Sequence, residues 1–294
     1  MDKLRQNGMI LKGIGGFYYV ACGEEVVECK ASGRLRLGDA LPLAGDAVEI
    51  ERGAKGDGFI VAIHPRRNAL IRPPVANVDQ IFIVASEAPP VTDPYLIDKV
   101  TVIALQQGIR PVIVLNKSDL VCGRPLAHAY EQAGFCVLRA SALTGEGCDA
   151  LAALMHDKVS CFTGNSGVGK SSLLSRVTGQ SLSVGAISER IGRGKNTTRH
   201  VELLPLPQGG LVADTPGFSS FEVRQMERIR KDELQYLFPE IEPLFGQCRF
   251  TGCAHIKEPD CAVRALVQSG GMAQSRYESY VKLYEELRQM KDWQ

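Results

Sequence analysis

Gly164-Asn165-Ser166-Gly167-Val168-Gly169-Lys170-Ser171 follows the apolar run Val159 to Thr163 and precedes a helix-like stretch, Ser172 to Thr178. This is the P-loop pattern in the strand-loop-helix setting it requires. The glycines let backbone N–H groups converge on phosphate oxygens, and the start of the helix adds partial positive charge. Lys170 is expected to reach the β- and γ-phosphates and Ser171 to ligate Mg²⁺, with Ser172 lining the same pocket. Taken alone, the stretch also reads as a Gly-rich turn with a surface lysine.

Its neighbours in sequence decide between these. Leu211-Val212-Ala213-Asp214-Thr215-Pro216-Gly217 reads as a strand delivering Asp214 to the magnesium shell, with Gly217 offering its N–H to the γ-phosphate. Between the two lies Gly192-Arg193-Gly194-Lys195-Asn196-Thr197-Thr198-Arg199, basic and without period. It has the character of a switch loop ordered through a Thr on Mg²⁺, with Thr198 the first choice and Thr197 the second. Upstream, Asn116-Lys117-Ser118-Asp119 ends the apolar run Pro111 to Leu115. Asn-Lys-x-Asp selects guanine: Asp119 accepts from N1–H and the exocyclic amine together, Lys117 covers the base, and Asn116 ties its loop to the P-loop. Losing such a pair disfavours ATP by a factor of about a hundred or more. Ser141-Ala142, after the run Cys136 to Ala140, is expected to complete the base pocket with a backbone N–H.

The order of these motifs is inverted. Guanine-reading motifs precede the P-loop, which describes a circularly permuted GTPase domain closed by a short linker near Met155 to Lys158. Alternating apolar runs and helical stretches from Val75 to Gln225 predict an α/β layer on a mainly parallel sheet.

Before that domain, short apolar runs at Met9 to Cys22, Glu25 to Cys29, Asp46 to Glu51 and Gly58 to Ile63 predict a small OB-type β-barrel. Phe17, Tyr18 and Tyr19 with Arg34, Arg36, Arg66, Arg67 and Arg72 suit an RNA-touching barrel. They suit equally an aromatic core with a solvated basic rim. After the GTPase domain, Cys248-x4-Cys253-x-His255-x5-Cys261 places three thiols and an imidazole close together, a closed shell for structural Zn²⁺. Tyr277, Tyr280, Val281, Tyr284 and Leu287 recur at helical spacing and read as packing residues. The expected parts are therefore an OB-fold RNA-binding domain at 1–72, a circularly permuted GTPase domain at 73–225 and a helical zinc-binding domain at 226–294.

Composition sets the outer limits. The 294 residues carry 34 Lys plus Arg against 33 Asp plus Glu, so no global positive charge marks a nucleic-acid binder and any such contact must be local. Nine Cys, an odd and mostly scattered set, argue against a disulfide framework. No apolar run approaches the ~20 residues of a membrane span, and Met1 to Gly8 lack a signal-peptide pattern, so a cytoplasmic protein is expected.

Together, the barrel-like start, the inverted motif order, the Thr-Thr switch, Asp-Thr-Pro-Gly and the Cys₃His cluster resemble the bacterial RsgA family of small-ribosomal-subunit-dependent GTPases. The likeness spans nearly the whole chain. It implies GTP hydrolysis to GDP late in small-subunit maturation, contact with the subunit and its rRNA, and stimulation by that subunit. A monomer without a membrane partner is expected. One position departs from the pattern: the family usually has His before the paired Thr, and this chain has Asn196, which orients water but takes no proton. Phe218 follows Gly217, so no Gln stands there for water either. His200 is the remaining candidate, though it reads more readily as a surface residue at a strand start. The competing reading is an RNA-binding GTP/GDP conformational sensor with negligible turnover; a P-loop kinase or ATPase is disfavoured by Asn116 to Asp119.

Overall fold

The structure is a computed structural model and describes residues 5–33, 41–53, 56–71, 73–121, 125–179, 201–214, 226 and 229–290. Period-2 alternation of buried and open positions builds the first unit. Strands β1 (Arg5–Ile14), β2 (Phe17–Cys22), β3 (Glu25–Ala31), β4 (Ala47–Arg52) and β5 (Gly58–Ile63) close a barrel in the order β1-β2-β3-β5-β4. The β3–β5 contact is parallel and the other pairings are antiparallel. The long run Met9 to Cys22 is a hairpin, broken where Gly15 and Gly16 both take positive φ (60° and 85°), as a two-residue hairpin turn requires. Ile10, Val20, Val27, Val48, Ile50 and Ile60 fill the barrel. The aromatics divide: Tyr18 packs against that core, while Lys30 sits 4.8 Å over Phe17 and Lys12 sits 5.1 Å over Tyr19.

Two of the arginines are held by carboxylates. Arg66 forms a two-pronged ion pair (2.7 and 2.8 Å) with the fully buried Asp46, and Arg67 reaches Asp79 (2.9 Å) and the Asn77 carbonyl (3.1 Å). They clamp the barrel to the chain that leads into the next unit. Arg34, Arg36 and Arg72 lie outside the described residues.

A short ladder, β6 (Ala69–Leu70) with β7 (Val75–Ala76), leads into the α/β layer. Its elements are β8 (Gln80–Ala85), α1 (Pro94–Gln106), β9 (Arg110–Leu115), α2 (Pro125–Gln132), β10 (Cys136–Arg139), α3 (Cys148–Met155), β11 (Val159–Gly164), α4 (Lys170–Thr178), β12 (Leu203–Pro205) and β13 (Leu211–Asp214). The sheet order is β10-β9-β8-β11-β13-β12, all parallel except β12. Strands β8 and β11 are buried at every residue, as central strands covered on both faces must be. Phe82 and Phe162 stack at 4.7 Å on the face covered by α3 and α4.

The opposite face carries α1, α2 and the C-terminal helices α5 (Ala262–Gln268) and α6 (Gln274–Met290) in one continuous apolar cluster. At its centre lies Arg276, 1% exposed. Its guanidinium pairs with Asp98 of α1 and, at 2.8 and 2.9 Å, with Glu240; the rings of Tyr130, Phe135 and Phe238 surround it at 4.7–5.4 Å. A charge so buried is tolerable only when fully paired, and here it joins α6 to the helix beside β8.

Candidate functional site

Among the described residues, the P-loop, the Asn-Lys-Ser-Asp run, the Ser-Ala pair and the end of β13 lie at one edge of the sheet, beyond the carboxyl ends of its parallel strands, where open α/β sheets bind ligands. The register makes this explicit: Gly164 of β11 pairs with Val84, Phe162 with Asp214, and Ala85 with Leu115 immediately before Asn116. Gly167 and Gly169 take φ of 75° and 91°, and the second caps the start of α4. Lys170 and Ser171 are the first two residues of that helix, with Ser172 next. Asn165 closes the turn by accepting from the N–H of Val168 (3.3 Å), with Ser166 between them.

Asn116 is the joint of the site. It is 3% exposed, its Nδ2 donates to the Val168 carbonyl (2.8 Å), and its Oδ1 accepts from the Ala142 N–H (3.1 Å). One amide thus binds the P-loop, the Asn-Lys-Ser-Asp loop and the Ser-Ala loop together. Lys117 adopts φ 63° and sends its ammonium to the Pro89 carbonyl (2.7 Å). Asp119 is held by the Ser141 hydroxyl, which itself accepts from the Thr144 N–H (3.1 Å). The backbone N–H groups of Ser141 and Ala142 are both engaged within the protein, to the Glu146 carbonyl (2.9 Å) and to Asn116. A base contact through either must therefore share that donor.

Supports that the sequence did not announce surround this pocket. Glu146 accepts from the Ser118 hydroxyl (2.8 Å), and Arg176 of α4 donates to the Leu143 and Thr144 carbonyls (3.4 and 3.3 Å). No local signal marked them: Glu146 lies 28 residues from Ser118, and Arg176 lies 33 and 32 residues from Leu143 and Thr144. Asp214 is described by its place at the end of β13 alone; Asn196, Thr197, Thr198, His200, Gly217 and Phe218 lie outside the described residues. Ser171 at the head of α4 and Asp214 beside Phe162 reach the same sheet edge, which suits Mg²⁺ accompanying GTP.

The second centre is the Cys₃His cluster. A tetrahedral ion with Zn–S of about 2.3 Å and Zn–N of about 2.0–2.1 Å has S···S edges of about 3.8 Å and S···N edges of about 3.5 Å. The structure gives 3.9 Å for Cys248–Cys261, and 3.5 and 3.4 Å from His255 Nδ1 to Cys248 and Cys261; Cys253 completes a set within 4.8 Å. Burial pushes the Cys253 thiol up to about 12 and lowers His255, so the pocket favours uncharged groups until a dication converts thiols to thiolates. His255 Nε2 meets the Gln235 side-chain oxygen at 3.1 Å, orienting the ring. The Glu258 carboxylate accepts the N–H groups of Ala254, Ile256 and Lys257 (2.9–3.0 Å). Burial alone would raise its pKa, and these bonds hold it below the ordinary value. Tyr277 and Tyr280, expected only to pack, also donate to the His255 and Ala254 carbonyls (2.8 and 3.1 Å). The four side chains fit structural zinc.

Comparison with known proteins agrees with this geometry. The family model for the RsgA GTPase matches residues 63–224 and that for the RsgA N-terminal domain matches residues 7–60. Curated relatives named small ribosomal subunit biogenesis GTPase RsgA include one from Caldanaerobacter subterraneus subsp. tengcongensis, 43% identical and covering 97% of each chain. Another, from Moorella thermoacetica, is 44% identical over 95% of this chain and 97% of its own. Among solved structures, YjeQ from Thermotoga maritima superposes with a TM-score of 0.81 at 36% identity, covering 97% of this chain and 99% of its own. YloQ, described as a circularly permuted GTPase, gives 0.80 at 35% identity, covering 98% and 96%.

Proposed function

Because this chain belongs to the RsgA GTPase family, we propose that it hydrolyses GTP to GDP and phosphate in late maturation of the small ribosomal subunit, and that the subunit raises the rate. The observation that carries the guanine-nucleotide assignment is the Asn116 joint, which gathers three motifs from separate parts of the chain into one pocket. In this reading Gly164, Asn165, Ser166, Gly167, Val168 and Gly169 cradle the phosphates. Lys170 neutralises charge on the β- and γ-oxygens, and Ser171, Asp214 and Thr198 hold Mg²⁺, which draws off charge developing there. Gly217 meets the γ-phosphate, and Asn116, Lys117, Asp119, Ser141 and Ala142 form the base pocket.

The parts are read as an OB-fold RNA-binding domain at 1–72, the permuted GTPase at 73–225 and the zinc-bound helical domain at 226–294. Support for RNA contact on the barrel is a cleft lined by Gly15, Gly16, Phe17, Tyr18, Lys30 and Leu41, where an ammonium and an aromatic ring stand side by side. The protein is read as a cytoplasmic monomer without a membrane partner; among the described residues no helix is long and apolar enough to cross a membrane.

GTP turnover measured with and without purified small subunits tests the proposal. A marked rise with subunits is expected. Asn196 and Phe218, which stand where water-handling residues occur in related enzymes, favour the sensor reading if turnover is negligible in both cases.

A further inference from the structure

Besides the Arg67–Asp79 link, strand β1 carries the barrel onto the GTPase sheet. Between Ile10 and Lys12 the β1–β2 register shifts by a residue, a bulge that places one extra residue, Leu11, on β1. Ile10 remains in the barrel core, whereas Met9 and Leu11 pack against the GTPase core. Immediately after the bulge, Lys12 forms an isolated antiparallel bridge with Glu202, and its ammonium lies 2.7 Å from the Glu202 carboxylate. Tyr19, the cross-strand neighbour of Lys12, lies under that ammonium at 5.1 Å, so the lysine is oriented before it meets its partner.

Glu202 sits directly before β12. That strand is the sheet edge and pairs through Leu203↔Ala213, Leu204↔Val212 and Pro205↔Leu211 with β13, whose last residue is Asp214. A backbone-paired path thus runs from barrel strand β1 through β12 to Ala213, the residue before the one assigned to Mg²⁺.

We infer that Lys12 and Glu202 are positioning residues for GTP hydrolysis, fixing the barrel to the strand pair that presents Asp214. The inference rests on the assignment of Asp214 above. Whatever grips the barrel then also sets where Asp214 stands, and by reciprocity the γ-phosphate alters the barrel strand.

The test uses the full chain with Lys12→Glu, Glu202→Lys and the two combined, which restores the pair with its charges exchanged. In the single variants kcat with small subunits falls about tenfold while KM for GTP stays within about twofold, and the exchanged pair recovers most of the loss. Full kcat in both single variants overturns the inference, as does a loss that the exchanged pair fails to recover.

Hydrogen exchange supplies a readout independent of the ribosome. Wild-type protein with a non-hydrolysable GTP analogue differs from the GDP form in exchange at Met9 to Ile14; the difference vanishes in the single variants and returns in the exchanged pair. Identical exchange in the two wild-type forms overturns the inference. Absence of subunit stimulation in the wild type instead defeats the proposed function, and the exchange data still judge the tie.

Discussion

Replacing Asn116 by Ala removes one amide and strands two groups. Val168 is fully buried, so its carbonyl loses a 2.8 Å donor with no water to replace it; the Ala142 N–H, in a half-buried loop, loses a 3.1 Å acceptor that water partly supplies. An interior polar group left unpaired costs about 1–3 kcal/mol, so the pair sums to roughly 2–5 kcal/mol, with the Ala142 contribution at the low end. Part of this destabilises the protein itself, because the amide joins the three loops through protein hydrogen bonds alone. If half falls on binding, GDP affinity drops by about 1–2.5 kcal/mol, roughly 5- to 70-fold. Calorimetric titration with GDP and thermal unfolding of the apo protein measure the two shares. Asn116→Asp separates the two links: it keeps an acceptor for Ala142 but sets a carboxylate against the Val168 carbonyl, and is expected to bind GDP no better than the Ala variant. GDP affinity within twofold of wild type in Asn116→Ala, with an unshifted unfolding transition, would refute the joint.

Asp119→Asn is expected to weaken GDP binding and to admit xanthine nucleotide, whose 2-oxo group wants a donor; titration with both nucleotides checks it. Lys170→Ala and Ser171→Ala should each lower turnover while circular dichroism stays native, since both side chains act on the phosphates and metal. Purified protein should hold about one zinc per chain by elemental analysis, and Cys253→Ser should release it and loosen the loop that Glu258 and Tyr277 pin down. Arg276→Met leaves Asp98 and Glu240 buried without their cation, Asp98 keeping the Tyr130 hydroxyl, and should cost about 3–5 kcal/mol in denaturant unfolding. A shift under about 1 kcal/mol would mean that those carboxylates find other partners.

What the sequence disclosed and what it hid follow from chain separation. The P-loop, the Asn-Lys-Ser-Asp run and the Cys₃His cluster are contiguous because phosphate, base and zinc must be met by neighbouring atoms, so spacing alone exposes them. Arg276 meets Asp98 across 178 residues and Lys12 meets Glu202 across 190, and nothing in either local stretch marks a buried or bridging role. Arg66 shows the same blindness at shorter range. Its surroundings suggested an RNA contact or a solvated rim, and only the fold brings it to Asp46, 20 residues away. The barrel strands were legible from their short, closely spaced apolar runs, but the parallel β3–β5 closure was not, because such runs say where a strand lies and never which strand lies alongside. Tyr277 and Tyr280 were legible as packing residues; their hydroxyl bonds to the zinc loop depend on where that loop comes to rest.

The permuted order also dictates how this protein is born. Ribosomes deliver chains from the N-terminus, so β8, β9 and β10 emerge with the guanine-reading loops while β11 is still unmade. In that interval β8, destined for the sheet interior, is an open edge with unpaired backbone groups along its length. Asn116 then has no Val168 carbonyl to hold, and its loop cannot be locked. Completion of β11 should seal the open edge, while a nascent chain halted before residue 168 should show little affinity for GTP, which arises only once the P-loop that follows β11 has emerged.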